Sequence, residues 1–350
     1  MSERAPAKAF TLRRIASALG PGVITGAADD DPSGIATYSI TGARFGTTFL
    51  WTAPVLWPLM ASAQMMCARI GLVTGQGLAG ALRQKYPRWL LTTAASALFI
   101  ANTINVGADL GGMAEAAHVL TGVPSFVWVL AFGIGITIAT VRLRYATIAN
   151  ALKWLALILA VYVIAAIDVR PDWHAVLRAT AVPNLPHGRD AWATLVAILG
   201  TTISPYLFFW QASQEVEEEK AGGQLTLKAR QGATATQLDD RMIDIGFGTL
   251  FSNIAMFFII VTTASTLYTH GQTQLATSAD VAAALRPLAG RFAMLLYTIG
   301  IVGTGLLAIP TLAGSAAYAF ADSYAPVRGT SINCPVPDPF PLRRGPPTVK

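Results

Sequence analysis

Apolar positions in this chain are grouped in long uncharged runs rather than in amphipathic stripes. About 20 apolar residues span a bilayer as a helix, and the runs predict eight spans in an all-α membrane protein. The first extends from Ile15 to about Arg44 and is cut by Asp29-Asp30-Asp31-Pro32-Ser33-Gly34. The second covers Phe45 to Ala68 without a charge, the third Leu90 past Asp109 to about Ala117, and the fourth Val119 to Val141. The fifth is Tyr145 to Ile167, with Lys153 near its start; the sixth is Ala191 to Gln214, interrupted near Ser204-Pro205. The seventh is Ile245 to Thr269. The eighth, Phe292 to Ala321, carries Pro310 and is expected to tilt or kink.

Composition sharpens this picture. Of 350 residues 53% are hydrophobic and 13% charged, against about 25% charged in soluble domains; that excludes a disordered chain and argues against a soluble enzyme. The net charge of +6 is no sign of a nucleic-acid partner, because the basic residues lie mostly in short loops. With a cytoplasmic N-terminus and one crossing per span, 19 Lys and Arg fall on the cytoplasmic side and 6 outside, as the positive-inside rule requires. Residues 1–14 then form a cytoplasmic tail, 15–321 the transmembrane domain and 322–350 a Pro-rich tail expected to be disordered. Cys67 and Cys334 are too far apart in sequence to suggest a disulfide framework or a CxxC metal site. His118, His174, His187 and His270 fall in predicted outer loops with no ligand spacing between any two. Glu215 to Lys220 reads as a solvated helix end. No nucleophile–base pair lies in a span, so an enzyme is not expected.

The candidate chemistry sits at two breaks. Asp31 and Ser204 each precede a proline inside an apolar span. A residue before proline is pushed out of the helical region, and proline leaves a carbonyl of the preceding turn unpaired. Unwound backbone at membrane depth is tolerated only within protein or beside a wet cavity, and paired broken helices point to a transporter site. The break residues are Pro32 and Ser33 in the first span, Pro205 and Tyr206 in the sixth. Asp31 offers carboxylate oxygens, the helix end near Ala28 offers carbonyls, and Thr201 and Thr202 stand opposite. These are hard oxygen ligands suited to a divalent cation.

The stretch Gly20-Pro21-Gly22, Asp31-Pro32-Ser33-Gly34-Ile35-Ala36-Thr37, Gly42-Ala43-Arg44-Phe45-Gly46 resembles the first span of the NRAMP family of divalent-metal transporters. Thr201 to Tyr206 resembles its sixth-span break, and Ala108-Asp109-Leu110 its Thr-Asp-Leu in span three. The resemblance covers about residues 15–320. It implies a LeuT-like inverted-repeat fold with helices 1 and 6 broken and proton-linked uptake of divalent metal (manganese, iron or magnesium) across the inner, cell membrane. The metal would be cargo, with no cofactor; lipid, metal ions and protons would be the partners, and nothing in the sequence names a protein partner.

The family's metal-binding Asp matches Asp31, while its Asn falls on Gly34, its Met on Ser204 and its His on Tyr206. The implied metal residues are therefore Asp31, Gly34, Thr201 and Ser204. Losing the thioether removes a preference for softer metals. Asp109 matches an Asp linked to proton movement; the next family acid falls on Gly112, and Glu115, about one turn on, either stands in for it or marks the outer rim. The resemblance also implies five plus five spans where this chain supplies five plus three. That leads to the expectation of an incomplete second repeat and to an alternative function: a truncated, non-transporting relic or a partner of a full-length paralogue.

Overall fold

The computed structural model describes residues 21–142, 160–273, 275 and 278–324. The described residues are helical with short connections: α1 (Pro21–Asp29), α2 (Pro32–Phe45), α3 (Thr52–Thr74), α4 (Leu78–Leu82), α5 (Arg88–Thr121), α6 (Ser125–Arg142), α7 (Ala160–Asp168), α8 (Trp173–Ala181), α9 (Arg189–Thr202), α10 (Pro205–Ala221), α11 (Leu227–Arg230), α12 (Ala235–Thr263, continued by a π turn, Ala264–Tyr268) and α13 (Ser278–Tyr324). Among the described residues, six segments are long and apolar enough to cross a membrane: α3, α5, α6, α9 with α10, α12 with its π turn, and Leu295–Ser323 of α13. They correspond to the predicted spans two, three, four, six, seven and eight. The first predicted span is the pair α1 and α2. Of the fifth, residues 160–167 are described and the rest lies outside the described residues, as do residues 1–14 and 325–350 of the predicted tails; residues 322–324, expected to be disordered, are instead the last residues of α13.

Local chemistry accounts for the helix ends. Pro32 and Pro205 each begin a helix, where a missing N–H costs nothing. Gly122, at φ 76, closes α5, and α12 opens with a capping box of Thr234 and Gln237. Helix α13 stays helical through Pro310. His118 lies in the last turn of α5 and His174 in the first turn of α8, so these two are helical rather than in loops.

The broken first span sits at the centre: α1 packs on α10, α12 and α13, and α2 on α9, α12 and α13. The approach of α1 to α12 is backbone to backbone. Gly22 and Gly26 are spaced so as to share one helix face, and Gly248 faces them; a Cβ at Gly26 would strike the Gly248 carbonyl, and one at Gly248 the Gly22 carbonyl. Small residues at this spacing let membrane helices meet closely. By contrast α6 leaves Phe126, Leu130, Ile134, Ile138 and Val141 exposed, a surface suited to lipid.

The acidic run after the sixth predicted span is not a solvated helix end. Glu215 is fully buried and pairs with Arg241 at 2.9 Å while accepting from Gln211 Nε2 at 2.7 Å. Arg241 also pairs with Glu218 at 2.6 Å and Asp244 at 2.9 Å. Asp244 in turn accepts from the Gly22 N–H at 2.8 Å and the Val23 N–H at 3.2 Å, placing a carboxylate on the N-terminus of α1, where the helix dipole favours it. The reason is length: α10 continues to Ala221 and α12 begins at Ala235, so the charged ends of both lie against each other and bury one guanidinium among three carboxylates.

Candidate functional site

Between α1 and α2 the helix is interrupted at Asp30 and Asp31, and between α9 and α10 at Ile203 and Ser204. Asp31 is extended (φ −66, ψ 166) and caps α2: its Oδ1 accepts from the Gly34 N–H at 2.6 Å and from Ser33 Oγ at 2.7 Å. Ser204 is extended too (φ −81, ψ 125), and its Oγ donates to the Thr201 carbonyl at 2.7 Å. The unwound residues are thus the ones before each proline. Pro32, Ser33, Pro205 and Tyr206, expected at the breaks, form the first turns of the helices that follow them, because proline's fixed φ suits a first helical position.

Both breaks open on one cavity of ≈ 600 Å³, lined among others by Asp31, Ser33, Asn105, Thr201, Ser204 and Tyr206. Hydrogen bonds engage two of the expected oxygen donors. The Ala28 carbonyl accepts a 2.7 Å hydrogen bond from the Tyr206 hydroxyl, so the end of α1 is tied to α10. Thr202 turns away from the cavity and pairs with the buried Tyr38 hydroxyl at 2.9 Å; Thr201 alone of the two lines the cavity. Gly34 has no side chain to offer, yet its position is close by: a Cβ there would lie 3.1 Å from Thr201 Oγ1 and 3.2 Å from Asp31 Oδ1.

The third wall belongs to α5. Asn102, Asn105 and Asp109 are spaced i, i+3 and i+7, one face of a helix. Asn102 Nδ2 donates to the Leu312 carbonyl at 2.9 Å and to Ser315 Oγ at 2.8 Å, tying α5 to α13. Asn105 Nδ2 donates to Asp31 Oδ2 at 2.8 Å. Asp109 is fully buried and its Oδ1 accepts from the Ser33 N–H at 3.2 Å, so it meets the first break directly. Glu115 is half-buried, six positions or about 9 Å along the axis from Asp109, with no hydrogen bond joining the two among the described residues. Neither asparagine was singled out from the sequence. Their signal was available: two amides and an acid repeating on one face of an otherwise apolar span.

Asp29 and Asp30 are buried away from the cavity. Asp29 Oδ2 accepts from Ser252 Oγ on α12 at 3.1 Å, and Asp30, with Ser252 beside it, has no hydrogen bond on either oxygen among the described residues. No three Asp, Glu, His or Cys side chains among the described residues converge as a metal cage. Asp31 is therefore the carboxylate the cavity offers, surrounded by neutral oxygens.

Comparison with known proteins bears on what such a cavity does. Residues 22–331 match the family model described as natural resistance-associated macrophage protein-like, Nramp. A divalent metal cation transporter, MntH, of Yersinia enterocolitica is 27% identical over 321 residues, covering 87% of this chain and 73% of the relative. Its counterpart in Pectobacterium carotovorum is 28% identical over 314 residues, covering 85% and 71%. The crystal structure of the Eremococcus coleocola manganese transporter in complex with an aromatic bis-isothiourea substituted compound superposes with a TM-score of 0.67 at 18% identity, over 92% of this chain and 68% of that one. That likeness is one of fold: an all-helical, LeuT-like arrangement.

Proposed function

This chain belongs to the Nramp family, and from that premise we propose that it is a secondary transporter that imports divalent metal cations by alternating access, holding the ion between its two helix breaks. The family match over residues 22–331 makes it a multi-pass integral membrane protein and a transporter rather than an enzyme, with metal as cargo. The observation that carries the proposal is the cavity between the breaks, which Asp31 lines together with Thr201 and Ser204 and where it is the one carboxylate among the described lining residues.

In this reading Asp31 binds the ion. Oxygens of Thr201 and Ser204 supply neutral ligands from the opposite break, water completes the shell, and the open position at Gly34 leaves room for that water. Hard oxygen donors without a thioether favour magnesium and manganese over softer ions. Asp109, bonded to the backbone of the first break, is the group through which a proton would be linked to the ion, with Glu115 further out on the same helix. The loop-charge bias supports a cytoplasmic N-terminus in the cell membrane.

The test is uptake into proteoliposomes. Asp31→Ala is expected to reduce manganese uptake to the level of empty vesicles. Uptake equal to that of the parent chain would move the ion site elsewhere.

A further inference from the structure

The hydrogen bonds around Asn105 do not close. Ser33 Oγ lies 2.7 Å from Asp31 Oδ1 and 3.0 Å from Asn105 Oδ1. A serine hydroxyl carries one proton, so with Asp31 ionised, the form that binds a cation, it cannot donate to both acceptors; one of the two oxygen–oxygen contacts lacks a hydrogen. Exchanging the amide's oxygen and nitrogen removes that conflict, because terminal amide torsions are broadly two-fold and the two atoms are told apart only by their bonding partners. Ser33 then donates to Asp31 Oδ1 and accepts from the Asn105 N–H. The exchange creates a new pairing, however: the Asn105 oxygen takes the place from which nitrogen donated, 2.8 Å from Asp31 Oδ2. A neutral carbonyl oxygen facing an ionised carboxylate at that distance is unfavourable unless a cation lies beside both.

From this geometry we infer that Asn105 is a cation ligand, whose amide donates to Asp31 when the site is empty and turns its oxygen to the ion when the site is filled. The inference rests on the reading of the cavity as an ion site and adds a ligand from a third helix, α5, to those of the two breaks. The spacing also speaks to ion size. Adjacent ligands of an octahedral ion at about 2.1 Å stand about 3.0 Å apart, whereas calcium's 2.3–2.6 Å ligand distances spread neighbours to about 3.3–3.7 Å. The 2.8 Å separation of the Asn105 and Asp31 atoms fits the smaller ion. Asn105 thus selects a compact, hard dication, and Ser33 is the partner that accepts the amide N–H in the loaded state.

The experiment is calorimetric titration of the purified full chain with manganese chloride and with calcium chloride. The parent, Asp31→Ala, Asn105→Ala and Asn105→Asp are compared, with melting temperature in detergent as the check on folding. A ligand role predicts that Asn105→Ala weakens manganese binding at least about tenfold, a loss of the size seen when metal-site partners are removed. It also predicts that Asn105→Asp, which keeps an oxygen and lacks the N–H, binds manganese within about threefold of the parent, and that the parent prefers manganese to calcium. If Asn105→Ala does not fold, Asn105→Leu, similar in volume and without an oxygen, reads the same loss. Equal weakening by Ala and Asp would show that the N–H alone matters, as a brace for Asp31, and would overturn the inference; so would no weakening by either. Manganese binding that survives Asp31→Ala, or is absent from the parent, overturns instead the reading of the cavity as the ion site.

Discussion

Ser204 lines the cavity at the second break, and its hydroxyl proton is engaged by the Thr201 carbonyl at 2.7 Å. In the proposed ion site only its oxygen lone pairs would remain for the ion, a hard donor in place of a thioether. Ser204→Met introduces a polarizable sulfur on the cavity wall, and a thioether favours softer metals. In a competition assay in proteoliposomes, uptake of cadmium relative to magnesium is expected to rise several-fold in this variant; an unchanged ratio would mean that position 204 does not face the ion. At this scale the sequence was readable where a residue announces itself by a rule. Asp31 did so, as a charge before proline in an apolar run, and so did the missing side chain at Gly34. Asn105 did so only weakly, as one of two amides and an acid on a single face of α5; its meaning comes from Ser33 and Asp31, 72 and 74 positions away. Thr202 was misread for the same reason: which of two adjacent threonines faces the cavity depends on where Tyr38 stands.

Both helix breaks were legible to within one or two residues, since proline acts on the chain beside it regardless of the rest of the fold. What hydropathy did not convey is how far an element continues past its apolar stretch. The acidic run from Glu215 has the composition of a water-facing segment, yet it is the buried end of α10, and its partner Arg241 lies in a separate helix. Nor did the apolar pattern reveal which helices touch by backbone. The Gly22 and Gly26 face of α1 against Gly248 of α12 is such a contact. Gly26→Val is expected to force the two helices apart, at about 1–3 kcal/mol for overpacking of this kind, and to lower the melting temperature in detergent by several degrees. Gly111→Ala is the control: nothing lies within 4 Å of a Cβ there, and replacing a helical glycine by alanine favours the helix by about 1 kcal/mol. Equal melting temperatures for parent and Gly26→Val would contradict the close contact.

Across the whole molecule, the ends of three helices meet at Arg241. One guanidinium holds Glu215 of α10 and Asp244 of α12, both fully buried, and Asp244 holds the first N–H groups of α1. Removing one member of a buried ion pair costs about 3–5 kcal/mol, because the partners stay behind as uncompensated charge. Arg241→Gln is therefore expected to destabilise the protein strongly in a thermal unfolding assay, and adding Glu215→Gln to recover part of the loss; no recovery in the double variant would argue that the two do not act as a pair. The same network has a mechanical meaning. The described part of helix α1, Pro21–Asp29, rises about 13 Å. Its first turn is pinned by Asp244, its last by the Tyr206 hydroxyl, and its side rests on Gly248. Each of these fastenings comes from α10 or α12, although α1 precedes α2 in the chain by only two residues. The helix behaves as a lever bolted to the later part of the chain, with Asp30 and Asp31 as its flexure. A tilt of α10 and α12 relative to α2 would reach the first break as torque on the backbone of Asp31, turning the carboxylate that faces the cavity.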